Sequence, residues 1–317
     1  MNIMNEQLLE EIEQAARDKS TDLDLSEAGL TFLPAQIFQL SHLEWLTLDD
    51  NQLTFLPPEI AKLSKLKRLE LGENQLLTLP PEIAQLSQLE ALYVDDNHLA
   101  MLTPDIGNLS QLKTLNLRGN QLIALPSEIS QLPRLRELDL SHNRLIAMPP
   151  EVVQLAQLRE LDISDNQLTA ISPDIAQLAK LRDLNLSNNR LTDLPAVFSK
   201  LSNSLKELDL SNNELTILPP VVCQLTKLRE LYLSENQLEN LPAEICQLSK
   251  LEWLDIRDNK LTSLPQTLSQ LSELEWLLLE GNRLPIPPNI LEAAEEPEEI
   301  INFYIKTLNS ATLESKL

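Results

Sequence analysis

The sequence predicts a right-handed α/β solenoid with a parallel sheet on its concave face and a helical cap at each end. An eight-residue frame recurs about every 23 residues, and its clearest copy, residues 46–53, reads LTLDDNQL. Leucines alternate with polar residues at the start of each frame, which is typical of a strand with one buried face. Most frames are followed by Leu-Pro, which ends the strand. A repeat of this length is typical of a stacked architecture.

The frame occurs twelve times, and its asparagine marks the register. The asparagine positions are Asn51, Asn74, Asn97, Asn120, Asn143, Asn166, Asn189, Asn213, Asn236, Asn259 and Asn282, and Ala28 occupies that position in the first copy. The step is 23 residues, except for 24 between Asn189 and Asn213. The inserted residue lies within residues 201–205, so we expect a local adjustment there and an otherwise regular stack.

Each unit is expected to contain one strand, one turn and a short return arm. In the unit of residues 43–66, Leu46 and Leu48 point inward and Asn51 follows the strand. A side-chain amide both donates and accepts hydrogen bonds. We therefore expect a buried asparagine ladder that satisfies backbone groups of adjacent coils. The arm after Pro57 and Pro58 has room for only one or two helical turns.

The ends of the chain depart from the repeat. Residues 1–20 have the apolar spacing of an amphipathic helix and are predicted to form an N-terminal cap, because the first coil has no neighbour. Residues 21–284 contain the twelve repeats. Residues 285–308 are predicted to form a C-terminal cap, with a helix that begins near Pro297. Residues 309–317 are polar and are expected to fray.

The repeat LxxLxLxxNxLxxLPxxIxxLxx resembles the leucine-rich-repeat family over residues 21–284. The resemblance implies the horseshoe form of the solenoid. The subclass with Leu-Pro and a later Ile is similar to cytosolic scaffolds that engage Ras-type GTPases, and to the repeat region of Roco proteins. The segment 286–291, followed by a short helix, resembles the end of that Roco region. Ala28, Thr103-Pro104 and Ser172-Pro173 depart from the pattern without affecting the fold assignment.

Composition argues against several partner classes. Lys and Arg number 25 against 48 Asp and Glu, a net charge of −23. This charge disfavours nucleic acid and anionic lipid, whose binding depends on basic residues. No apolar run approaches the length of a membrane span, and no secretion signal is evident. Cys223 and Cys246 share a position that takes small residues, so free thiols and a cytoplasmic location are expected.

The sequence offers no catalytic constellation. His42, His98 and His142 lie in different repeats without zinc-ligand spacing, and the five glycines form no phosphate-binding loop. The carboxylates are too regularly repeated to single out a general acid. We therefore expect no enzyme activity, no cofactor and no metal site.

The candidate site is the outward face of the concave sheet. Its candidate partner-binding residues are Trp45, Tyr93, Asp139, Asp162, Asp209, Tyr232, Trp253, Asp255 and Trp276. Clustered exposed aromatics on a rigid scaffold are typical interface anchors. The acidic rows either meet a partner or form a salt ladder with basic residues such as Arg136 and Arg159. Trp276 either joins the interface or lies under the C-terminal cap.

We therefore expect a protein-interaction module without catalysis, whose partner is a protein, either basic or a small GTPase. The alternative is that the repeats form the sensor region of a Roco-type GTPase protein. The sequence leaves the partner and the oligomeric state open.

Overall fold

The computed structural model describes residues 3–291 and 294–314, and side chains within residues 8–291 and 294–307. Twelve strands of three residues each follow one another at the repeat interval. They are β1 (Asp22–Asp24), β2 (Trp45–Thr47), β3 (Arg68–Glu70), β4 (Ala91–Tyr93), β5 (Thr114–Asn116), β6 (Glu137–Asp139), β7 (Glu160–Asp162), β8 (Asp183–Asn185), β9 (Glu207–Asp209), β10 (Glu230–Tyr232), β11 (Trp253–Asp255) and β12 (Trp276–Leu278). The predicted fold class, a leucine-rich α/β solenoid with a parallel sheet and capping helices, is confirmed.

The chain forms two compact units, Met1–Asn166 and Gln167–Leu317. In the first unit, β1 to β7 pair in parallel in chain order, and each residue pairs with the residue 23 positions later, as in Leu23 with Leu46. In the second unit, β8 to β12 pair in the same way. The middle residue of every strand is buried and the first and third residues face outward, as the period of two requires.

The return arms are short 3-10 helices, as the length of the arm predicts. Within the described residues they are Ile37–Gln39, Pro58–Lys62, Pro81–Gln85, Pro104–Asn108, Ser127–Gln131, Val152–Gln154, Pro173–Gln177, Ala196–Leu201, Val222–Gln224, Ala243–Gln247 and Gln266–Gln270. The segment Ala196–Leu201 is the longest, with six residues. It adjoins the inserted residue, and strands β8 and β9 keep their pairing with Asp183 opposite Glu207. The insertion is therefore absorbed before the next strand begins.

The asparagine ladder has the predicted geometry. The Asn51 carbonyl accepts from the Leu30 amide at 2.8 Å, and its amide nitrogen donates to the Leu25 and Leu48 carbonyls at 2.9 Å each. Asn120 repeats the arrangement, with its oxygen accepting from the Leu99 amide. Each ladder asparagine thus joins its own coil to the preceding one. Because these backbone groups are buried, the amide replaces the water they would otherwise bind.

Helices cover each end of the stack. Helix α1 (Ile3–Asp18) buries Leu8, Ile12 and Ala15. At the other end, α2 (Pro288–Leu291) precedes α3 (Pro297–Glu314), and Ile300 and Tyr304 of α3 are buried.

Two backbone hydrogen bonds attach the C-terminal segment to the repeats. The Tyr304 hydroxyl accepts from the Leu264 amide at 2.9 Å, and the Ala294 carbonyl accepts from the Leu277 amide at 2.9 Å. The second bond occupies a donor of β12, the last strand in chain order.

The C-terminal helix is longer than the sequence analysis predicts. Residues 309–314 were expected to fray, whereas α3 continues to Glu314. The segment contains Ala, Leu and Glu, which are good helix formers, and a nucleated helix propagates through such residues easily. The remaining part of the expected tail, residues 315–317, lies outside the described residues. Over the part of the chain that is described, no helix is both long and apolar enough to cross a bilayer.

Candidate functional site

The outward face of the second unit contains a stack of aromatic rings on β10 to β12. The rings of Trp253 and Trp276 are stacked, with centroids 4.7 Å apart and planes inclined by 26°. Tyr232 lies on the other side of Trp253 at 6.2 Å and 40°. The register explains the first contact, because Trp253 pairs directly with Trp276 on adjacent parallel strands about 4.8 Å apart. All three residues are partly exposed.

Tyr232 is held by a neighbouring carboxylate. Its hydroxyl donates to Glu230 Oε2 at 2.6 Å, across two residues of the same strand. Burial raises the pKa of the Tyr232 phenol above its usual range, and the hydrogen bond and charge of Glu230 add to this effect. The charges of Glu207 and Asp209 also raise it. The phenol is therefore protonated at physiological pH, and the aromatic stack lies in a negative field.

Trp253 carries an unsatisfied donor. Its indole nitrogen is buried and has no hydrogen-bond partner in the structure. A buried donor without an acceptor is uncommon, and such groups often mark functional surfaces. The ring position of Trp253 is thus set by stacking between Tyr232 and Trp276 and not by a hydrogen bond of the indole.

Asp255 does not belong to the exposed face, which corrects the sequence analysis. Its side chain is only 3% exposed. Its two carboxylate oxygens accept from Arg257 Nε at 3.0 Å and from Arg257 Nη2 at 2.7 Å. Strand alternation correctly points Asp255 outward, but the guanidinium two residues later folds back over it. We therefore assign this ion pair to the support of the aromatic stack and not to partner contact.

The acidic residues at the ends of β6 and β7 cap the turns that follow. Asp139 Oδ1 accepts from the Ser141 amide at 2.8 Å and from its hydroxyl at 2.6 Å. Asp162 makes the same two bonds with Ser164. Burial raises the pKa of the Asp139 carboxyl, the Ser141 hydrogen bonds oppose the shift, and the charge of Asp162 adds to it. These carboxylates therefore fix the strand exit in addition to charging the surface.

Asp209 in the second unit has a similar position. Its Oδ1 accepts from the Ser211 amide at 2.8 Å. The three predicted aspartates of this column thus share a local backbone role, which the sequence analysis did not anticipate. It follows from the serine two residues later, because Asp side chains readily bond the backbone at that distance.

The first unit has a shallow depression on its strand face, of about 260 Å³. Tyr93, Asn116, Glu137, Asp139 and Glu160 contribute to its lining. The walls are acidic and the floor is formed by the buried leucines of the strands. Tyr93 is the aromatic residue of this lining.

Trp45 and Tyr93 do not form one patch, because Arg68 lies between them. Arg68 pairs with Trp45 in the register of β2 and β3, and its guanidinium carbon lies 4.4 Å from the centre of the Tyr93 ring. Arg68 also bonds Glu70 Oε1 with its Nε at 2.6 Å. The Tyr93 ring thus already has a cation on it. Trp45 is 53% exposed and lies apart.

The salt ladder differs from the predicted one. The sequence analysis paired basic residues with the acidic row beside them, but the ion pairs run along the basic residues' own column. Lys67 bonds Glu44 and Lys113 bonds Glu90, each at 2.6 Å, and Arg229 pairs with Glu252. The partners are 23 residues apart and meet because the coils stack in register. Such exposed pairs contribute at most about 1 kcal/mol each.

Both cysteines are free thiols, as expected. Cys223 is buried and Cys246 is partly buried. Within residues 3–291 and 294–314, no group of three or more His, Cys, Asp or Glu side chains is arranged to hold a metal ion.

Comparison with known proteins supports the fold and its use. A family model described as Leucine rich repeat matches residues 21–76, 41–99, 87–145, 156–215 and 226–284, and one described as Leucine Rich repeats (2 copies) matches residues 203–243. No curated protein sequence matches the chain. Among solved structures, a leucine-rich-repeat protein of Leptospira interrogans is 33% identical with a TM-score of 0.57, and the match covers 89% of this chain and 95% of that one.

Two plant receptors are also similar, and both structures contain a peptide hormone. The receptor RGFR1 in complex with RGF2 is 31% identical, with a TM-score of 0.60, over 84% of this chain and 52% of that one. The Arabidopsis receptor kinase HAESA, in complex with the hormone IDA and the co-receptor SERK1, is 29% identical, with a TM-score of 0.67, over 85% and 51%. The chain thus spans about half of these receptor chains. The repeat, the strand register and the family matches together show that the chain belongs to the leucine-rich repeat family.

Proposed function

We propose that this chain is a non-catalytic interaction module that binds a protein partner on the outward face of β10 to β12. The observation that carries the proposal is the aromatic stack of Tyr232, Trp253 and Trp276. Aromatic side chains are enriched among the residues that contribute most to binding energy. Here they occupy one surface although only 3% of the chain is aromatic.

The stack is preorganised. Leu231, Leu254 and Leu277, the middle residues of the three strands, are fully buried, which fixes the backbone beneath the rings. A rigid surface loses little conformational entropy when a partner binds. Binding energy can therefore come from contact with the indole rings without a preceding rearrangement.

Charge indicates a basic partner. The carboxylates of Glu207, Asp209 and Glu230 act together on Tyr232, and the chain as a whole carries a net charge of −23. A complementary basic surface would be attracted to this face and would associate faster at low ionic strength. We also propose a cytoplasmic location, which the two free thiols support.

A second candidate partner is a small GTPase, either separate or in the same chain as in a Roco-type protein. The support is the resemblance of segment 286–291, which here contains the short helix α2 before α3. This candidate is tested with a purified Ras-type GTPase, loaded with GDP or with a non-hydrolysable GTP analogue. Binding that depends on the nucleotide would favour it, and the absence of binding to either form would remove it.

The main proposal is tested by affinity capture. The chain is immobilised and exposed to cytosolic extract from its source cells, beside the Trp253→Ala/Trp276→Ala variant. Trp45→Ala is the matched control, because Trp45 is an exposed tryptophan of the same sheet position in the first unit. We expect the double variant to lose proteins that the wild type and the control retain. Identical retention by all three would overturn the proposal.

A further inference from the structure

The first unit exposes a row of large apolar side chains on the flank where the chain leaves each strand. Six consecutive repeats each contribute one, three or four residues after the asparagine position. They are Phe32, Phe55, Leu77, Met101, Ile123 and Ile146, which are 53% to 69% exposed, and we call them the flank stripe. At roughly 100 Å² each they would form on the order of 600 Å², the upper end for the largest apolar patch on a typical monomer.

The repeat itself does not require the flank stripe. In the second unit the same two positions are mostly small or polar. They hold Thr169 and Ala170, Thr192 and Asp193, Thr216 and Ile217, Glu239 and Asn240, and Thr262 and Ser263. Ile217 is the one large apolar residue among these ten. Since the fold forms equally well with threonine at these positions, the apolar residues of the first unit serve something other than the stack.

Acidic residues border the flank stripe on both sides. On the side of the strands, directly before the asparagine position, lie Glu27, Asp50, Glu73 and Asp96, each with a positive φ. On the side of the return arms, eight residues after the asparagine, lie Glu59, Glu82, Asp105, Glu128 and Glu151. Four or five residues separate each border from the stripe, so the separation is at most about 14–18 Å. The corresponding return-arm positions of the second unit are Asp174, Val197, Val221, Glu244 and Thr267.

The spacing of the flank stripe matches an α-helix. Consecutive coils are about 4.8 Å apart at their strands, and an α-helix advances about 5.4 Å per turn. A helix lying along the row can therefore place one apolar side chain of every turn against one side chain of the stripe. Six coils span about 24 Å, which corresponds to roughly 16 helical residues.

We propose that the flank stripe binds an amphipathic α-helix of a partner protein, with an apolar face bordered by Lys or Arg on both sides. The apolar face would cover the stripe, and the basic side chains would reach the two acidic borders. A second copy of this chain fits less well, because its own stripe has acidic borders and its net charge is −23. This surface is separate from the aromatic stack of the second unit.

The probe for this proposal is a synthetic helical peptide of about 16 residues with one leucine face and lysines on both sides, carrying a fluorescent label. A peptide of the same composition in scrambled order keeps the charge and removes the amphipathic face. Binding to the full chain is followed by fluorescence anisotropy. We expect the helical peptide to bind at least about tenfold more tightly than the scrambled one. Equal affinity would overturn the proposal, because charge alone would then explain binding.

Variants locate the bound helix. We expect Ile123→Thr/Ile146→Thr, which introduces the residue type of the second unit, to weaken binding by roughly tenfold or more, since two apolar contacts are lost. Ile217→Thr is the matched control and should leave the affinity unchanged. Thermal unfolding checks that the substitutions leave the fold intact. An unchanged affinity for the double variant would overturn the proposal.

Two further measurements separate this surface from the others. Trp253→Ala/Trp276→Ala should bind the helical peptide as tightly as the wild type, whatever becomes of the proposed aromatic site; a loss of peptide binding would place the helix on the aromatic face and overturn the assignment. Sedimentation equilibrium of the chain alone should give the monomer mass of 35.8 kDa. A dimer that dissociates on Ile123→Thr/Ile146→Thr would mean that a second copy occupies the stripe.

Discussion

Trp253 and Trp276 are 23 residues apart in the sequence and stack with their ring centres 4.7 Å apart. The stacking follows from the repeat, because an outward residue of one strand meets its equivalent on the next. A pair of tryptophans at equivalent positions therefore produces one continuous aromatic surface. The same rule places Trp45 beside Arg68 and so leaves Trp45 without a ring on that side.

The asparagine ladder should be essential for stability. Asn120→Ala removes the acceptor of the Leu99 amide and the donor of the Val94, Leu117 and Arg118 carbonyls. Because these groups are largely buried, we expect a loss of about 3 kcal/mol in the free energy of unfolding. Urea unfolding measures it. Asn108→Ala, at an exposed position, is the control and should change stability by less than about 0.5 kcal/mol; similar losses for both variants would contradict a special role of the ladder.

Asp49 should make the first unit more stable in mild acid. Burial raises the pKa of its carboxyl to about 6, against a hydrogen bond from the Gly72 amide and together with the charges of Glu70 and Asp95. The folded state therefore takes up a proton more readily than the unfolded state. The resulting stabilisation is complete below the unfolded pKa near 4 and is lost as pH rises through about 6.

Asp49→Asn tests this dependence. The amide keeps an oxygen that can accept from Gly72 and removes the charge. We expect the variant to be about 1 kcal/mol more stable than the wild type at neutral pH, a value reduced for solvent screening at this half-exposed site. The advantage should vanish below about pH 4. Urea unfolding at several pH values measures both, and a variant that is less stable at neutral pH would show that the hydrogen bond outweighs the charge.

Arg257 should be needed to keep Asp255 charged in its buried position. Arg257→Leu leaves that carboxylate without its two hydrogen bonds, and we expect a loss of about 2–3 kcal/mol in unfolding free energy. Adding Asp255→Asn should recover most of this loss, because the buried charge is then gone. If the second substitution deepens the loss instead, the ion pair has a different role from the one assigned here.

The two thiols should differ in reactivity. Burial raises the pKa of the Cys223 thiol to about 11, so little thiolate is present at neutral pH. Cys246 is partly exposed. We expect a thiol-specific reagent to modify Cys246 first in the native protein. Cys246→Ser should abolish the fast phase and Cys223→Ser should preserve it; the reverse pattern would contradict the burial of Cys223.

Much of this structure follows from the sequence, because one period determines it. The strand register, the asparagine ladder and the meeting of Trp253 with Trp276 all depend on residues one repeat apart. The burial of Asp255 does not follow, since it depends on Arg257 folding back within the same coil. Arg68 on Tyr93 is similar, because a long side chain reaches a neighbouring column. In each case side-chain conformation, and not periodicity, determines the contact.

The flank stripe escapes the sequence reading for another reason. Its members alternate between two positions, with Phe55 four residues after the asparagine and Leu77 three residues after it. No single column is therefore apolar throughout. Both positions are exposed in the structure, so side chains from either position contribute to one surface.

The central claim is that the partner is anchored on the aromatic stack of the second unit. Its most direct test is the affinity of the principal captured partner for the wild type, Trp253→Ala and Trp45→Ala, measured by titration calorimetry. We expect Trp253→Ala to weaken binding by at least about 2 kcal/mol and Trp45→Ala to have little effect. Unchanged affinity for Trp253→Ala, with a clear loss for Trp45→Ala, would contradict the claim and place the partner on the first unit.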